Sequence, residues 1–71
     1  MKRSITIAGH RTSVSIEDPF WSGLGEMATA RGASVAELIA AIDQERGSAN
    51  LSSAIRMAVL AWYRGRVPAA D

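Results

Sequence analysis

Three groups of residues in this chain have side chains able to act on something else. The first is the run Arg11-Thr12-Ser13-Val14-Ser15-Ile16, in which every second residue from Thr12 is β-branched. In a strand, successive side chains point to opposite faces, so Thr12, Val14 and Ile16 turn inward while Arg11, Ser13 and Ser15 share the outer face. One guanidinium beside two small hydroxyls is a poor catalytic set but a good one for the hydrogen-bonding edges of DNA bases. The second is His10, the only histidine, whose titration near neutrality would suit a base or a switch. It has no second ligand or nucleophile to work with and reads as a solvated turn residue. The third is Glu17-Asp18, adjacent acids at a helix start, which read as cap and dipole partners rather than a catalytic pair. With no Cys and no Gly-rich phosphate loop, nothing fills the roles of nucleophile, base and oxyanion donor. The chain is read as no enzyme, with no catalytic residues, metal site or cofactor.

The elements that position this row follow from periodicity. Ile5 and Ile7 alternate with Ser4 and Thr6, and Gly9-His10 suits a two-residue hairpin turn with glycine first. Folding there sets Ile7 opposite Thr12, Ile5 opposite Val14 and Arg3 opposite Ile16; a bulge at Gly9 or a mobile arm before it are the other arrangements this stretch allows. Asp18-Pro19 reads as an N-cap followed by proline at the first helical position, opening helix A, whose core side is Phe20, Leu24 and Met27 or Ala28, with a stop at Gly32. Gly23 and Gly25 weaken that helix and imply tertiary support or a close approach to its backbone. Ser34-Val35-Ala36-Glu37 is a capping box that opens helix B, with Val35, Leu38, Ile39 and Ile42 as its stripe and Gly47 as its end. Its start amides either bind a phosphate or are merely satisfied by Ser34 and Glu37. Asn50 or Ser52 caps a helix C with Leu51, Ile55, Ala58, Val59 and Trp62 on one side, ending near Arg64-Gly65, and Trp62 is expected to be substantially buried. Val67 to Asp71 read as a frayed tail.

Seventy-one residues make one domain, and a domain of this size buries only about 60% of the surface of its unfolded chain, which favours a partner subunit. Its 48% hydrophobic and 21% charged content is that of a globular chain, and no apolar run reaches the roughly 20 residues that span a bilayer. The absence of Cys and of a signal-type apolar stretch leads us to expect a cytoplasmic protein without a membrane partner. The net charge is only +1, so nucleic-acid binding must rest on where charges lie. Lys2, Arg3 and Arg11 all precede the first acid, Glu17, whereas Arg56, Arg64 and Arg66 cluster near the other end.

The Arg-x-Ser-x-Ser strand, proline-led helix, Gly-x-Ser turn and second capped helix, from Arg11 to Gly47, resemble the ribbon-helix-helix superfamily of Arc/MetJ/CopG-like repressors. The resemblance implies a mainly α fold with a short N-terminal β element, three helices after the strands, and an intertwined homodimer. It divides the chain into an extra strand or arm at 1–9, a ribbon-helix-helix core at 10–47 and an additional helix at 48–66. It puts base reading on Arg11, Ser13 and Ser15, and phosphate anchoring on Ser34 and Val35, to which Lys2 and Arg3 add charge. The dimer core falls on Val14, Ile16, Leu38, Ile39 and Ile42.

The function expected from this resemblance is a homodimeric DNA-binding transcriptional regulator of bacterial type, autoregulatory or antitoxin-like with a toxin as protein partner. The alternative is a protein-interaction or oligomerisation module on the same fold, its ribbon covered by the first strand. Width separates the two. A dimer carrying the extra strand would hold four strands, about three spacings of 4.8 Å, against a major groove about 12 Å wide.

Overall fold

The computed structural model describes residues 2–7 and 9–66. The chain runs β1 (Lys2–Ile7), β2 (His10–Ser15), α1 (Asp18–Arg31), α2 (Val35–Glu45) and α3 (Leu51–Arg66). This is the expected mainly helical fold with a β element at its start. The strands form a two-stranded antiparallel sheet. Its inner face supplies Ile7, Val14 and the following Ile16 to a core shared with Leu24, Met27 and Ala28 of α1, Leu38 and Ile39 of α2, and Ile55 and Val59 of α3. Every element therefore contributes at least one fully or nearly fully buried apolar side chain.

The hairpin exists, but its register differs from the expected one. Ile7 pairs with His10, Ile5 with Thr12 and Arg3 with Val14, so His10 belongs to β2 rather than to the turn. Gly9, just before β2, has φ of 79°, in the left-handed region that glycine enters without penalty. The expected pairing was two residues out of step. A slip of two leaves every side chain on its proper face, so the apolar pattern cannot distinguish the registers and the turn must.

Helix α1 starts one residue earlier than expected. Glu17, with extended backbone and no side-chain cap bond, is the N-cap, and its carbonyl accepts from Trp21 N at 2.9 Å. Asp18 sits in the first turn instead, where its carboxylate meets Arg3. Proline is tolerated in either frame because the first amides of a helix have no internal acceptor. The capping box on α2 is complete, and Asn50 caps α3 by accepting from Ser53 N at 2.7 Å. Helix α3 continues to Arg66, slightly beyond the expected end. Trp62 is partly buried and packed against the core, edge-on to Tyr63 with centroids 4.8 Å apart and under the Arg66 guanidinium at 4.5 Å. The expected frayed tail, Val67 to Asp71, lies outside the described residues.

The packing of α3 on α1 depends on Gly23. A Cβ there would lie 2.8 Å from both Val59 Cγ1 and Tyr63 Cε2, closer than carbon atoms approach without something moving. Around Gly25, its own helix backbone aside, no atom of the described residues lies within 4 Å of the corresponding position. The two glycines, indistinguishable in sequence, should therefore respond oppositely to the same change. We expect Gly23→Ala to destabilise the protein by about 1–3 kcal/mol through overpacking, and Gly25→Ala to stabilise it by about 0.5–1 kcal/mol through helix propensity. Thermal denaturation of the two variants beside the parent checks both signs.

Candidate nucleic-acid interface

The register builds the outer face of the hairpin from three cross-strand pairs: Lys2 opposite Ser15, Ser4 opposite Ser13, and Thr6 opposite Arg11. All six residues are exposed. None is acidic and none is a large apolar residue, so the face is a row of hydroxyls with a cation at each of two opposite corners. It brings together Arg11, Ser13 and Ser15 with Lys2, as the alternation indicated. Ser4 and Thr6 belong to the same face but were not among the expected reading residues. Their signal was present in the alternation with Ile5 and Ile7, and only strand pairing makes it a shared surface.

Ser15 is anchored from behind. Its N–H donates to Ser52 Oγ at 3.0 Å and its carbonyl accepts from Arg56 Nη2 at 2.6 Å. The same guanidinium holds Glu17, Nε to Oε1 at 2.7 Å. Ser52 and Arg56 lie one helical turn apart on α3, so one face of that helix grips the junction of strand and helix. The bonds also fix the orientation of the ladder. Because the Ser15 backbone points away from β1, the alternation of antiparallel pairing turns the backbones of Arg11 and Ser13 outward too, and likewise those of Lys2, Ser4 and Thr6 on β1. Arg56 was legible in sequence only as a charge, since its partners are 39 and 41 residues distant.

Arg3, one of the expected phosphate contacts, lies on the inner side of β1. Its Nη2 is 3.1 Å from Asp18 Oδ1, its Cζ stands 4.5 Å from the Trp21 ring centroid, and its buried Nε has no acceptor among the described residues. The guanidinium thus roofs one end of the core beside α1, separate from Lys2 on the outer face. The other expected phosphate site, Ser34 and Val35, is the start of α2. There Ser34 Oγ accepts from Glu37 N at 3.0 Å and Glu37 Oε1 from Ser34 N at 2.8 Å. These bonds hold the Glu37 carboxyl below the usual carboxylate range. Among the described residues the Val35 and Ala36 amides have no acceptor, so donors remain, although an ionised Glu37 stands beside them. Val14, Ile16, Leu38 and Ile39, the expected dimer core, are each buried within this one chain. Ile42 is half-buried beside a groove between the helices. His10 is exposed at the closing pair of the hairpin.

The matching of this architecture to known proteins is direct at the level of family. The model of the ribbon-helix-helix domain matches residues 1–63. The chain belongs to that family, whose fold is of the DNA-binding transcription regulator type. No curated protein and no solved structure matches it. Among the described residues no helix is long and apolar enough to cross a membrane.

The Arg56 grip has a pH dependence with a definite sign. Its hydrogen bond to Glu17 lowers that carboxyl from its ordinary value near 4.5. A lowered folded pKa contributes stability that is present above 4.5 and lost as pH falls through the lowered value. We therefore expect Arg56→Leu to be less stable than the parent at neutral pH, with the difference narrowing below pH 4.5 but not vanishing, because the bond to the Ser15 carbonyl does not titrate. Denaturant melts of both proteins across pH 3–7 read this out.

Proposed function

We propose that the chain is a homodimeric transcriptional regulator that reads the DNA major groove with the outer face of its hairpin. The observation that supports this best is the acid-free polar face carried on a ribbon only one strand spacing wide. Two strands about 4.8 Å apart fit a groove about 12 Å wide. In this reading residues 1–9 are half of the ribbon rather than an added arm, 10–47 hold the rest of the ribbon and its first two helices, and 48–66 brace it from behind through Ser52 and Arg56. Arg11 reads a guanine edge, Ser13 and Ser15 donate or accept at neighbouring bases, and Lys2 meets a phosphate. The start of α2 is a second phosphate anchor, through the amides that follow Ser34. The alternative, in which the first strand covers the ribbon, fits less well: β1 lies beside β2 and leaves the outer face of both strands exposed.

Selection of bound sequences from random duplexes, followed by anisotropy titration of the winner, tests the proposal. We expect affinity to fall steeply with salt, and Arg11→Ala to weaken specific binding about 10- to 100-fold, the worth of one bidentate base contact. Its melting temperature should stay close to the parent's, since an exposed substitution away from packing is worth about ±0.5 kcal/mol. No selected sequence and no salt-sensitive binding would refute the reading.

A further inference from the structure

The six residues on the outer face of the hairpin are not equivalent as readers of sequence. Ser4, Ser13 and Ser15 carry hydroxyls that donate or accept at either base type and so favour neither. Lys2 is a flexible point charge suited to a phosphate. Arg11 can grip a guanine through two bonds. Thr6 alone among the six ends in a methyl group beside its hydroxyl. An apolar contact is what recognises thymine, through the 5-methyl that marks this base in the major groove. The power to discriminate is therefore concentrated in Thr6 and Arg11, and the register sets these two directly opposite each other.

Their pairing is of the closer kind. The backbones of Thr6 and Arg11 both point away from the shared ladder, which makes them a non-hydrogen-bonded pair with Cα atoms about 4.5 Å apart. Side chains across such a pair are within mutual reach. Both are exposed, and among the described residues neither side chain has a hydrogen-bond or ion-pair partner. Branching at Cβ restricts χ1 of Thr6 and gives its methyl a defined direction. Strands about 4.8 Å apart span between one and two base steps of about 3.4 Å. A guanine under Arg11 thus leaves Thr6 over a base no more than about two steps away. The next pair along, Ser4 opposite Ser13, carries no methyl, so the effect belongs to the end of the hairpin nearest Gly9.

We propose that Thr6 is a specificity-determining residue that reads the methyl group of a thymine beside the guanine held by Arg11. This rests on the ribbon reading given above and adds β1 to the surface that chooses the sequence. Arg11 supplies the polar half of the recognition and Thr6 the apolar half, from opposite strands of one cross-strand pair.

Anisotropy titration of the full chain on the selected duplex, with each thymine replaced in turn by deoxyuridine, tests this, because the exchange deletes the 5-methyl and keeps base pairing. At one thymine within about two steps of the guanine, the exchange should weaken binding about fourfold, the worth of one buried methyl. Thr6→Ser keeps the hydroxyl and lacks the methyl. It should bind the thymine duplex about fourfold more weakly than the parent and lose nothing further on uracil. Thr6→Val keeps both the methyl and the branched Cβ, so it should fold as the parent does and retain the sensitivity to uracil. A selected site without such a thymine overturns the proposal, as does a parent indifferent to uracil at every position, a Thr6→Ser variant as sensitive as the parent, or a folded Thr6→Val variant that has lost the sensitivity. Indifference to uracil while Arg11→Ala still weakens specific binding refutes the role of Thr6 and leaves the ribbon reading standing. Failure to select any sequence removes both.

Discussion

The close approach of α3 to α1 at Gly23 is the constraint on which the rest of the structure depends. With no side chain at that point, Val59 and Tyr63 lie directly on the α1 backbone, and α3 is low enough to cover Ile16 and Leu24, both with no exposure. Held there, the same helix carries Ser52 and Arg56 to the end of β2. A small chain thereby completes a core from its own elements.

That arrangement divides the basic residues into two populations. Arg3 and Arg56 are bound to Asp18 and to Glu17 with the Ser15 carbonyl, respectively, and one of them also stacks on Trp21. Lys2 and Arg11 stand on the outer face with hydroxyl neighbours and no acid. Net charge is a poor guide to a protein of this kind because the acids are mostly answered locally. What a polyanion would meet is a small face from which acids are missing, not a basic molecule.

Where a ribbon is assembled from two chains, folding, dimerisation and the reading surface are one event. Here β1 supplies the neighbouring strand from within the chain, so the outer face of the hairpin is complete in a single chain. Val14, Ile16, Leu38 and Ile39 are buried in the core of that single chain.

Alternation in Lys2–Ile7 and His10–Ser15, the proline in the first turn of α1, the Ser34–Glu37 box and the 3.6-residue stripes of α2 and α3 were readable by themselves, because each depends on residues within one or two turns of one another. They determined the element types, the family and the outward row of Arg11, Ser13 and Ser15. The hairpin register was not readable, since a two-residue slip preserves every face and only the conformation at Gly9 selects one pairing. Nor was the difference between Gly23 and Gly25, or between Arg3, which packs, and Lys2, which is presented. The partners of Arg56 and the union of Ser4 and Thr6 with the β2 row likewise required the folded chain. In each case the deciding contact joins residues far apart in sequence, and only tertiary structure sets the distance between them.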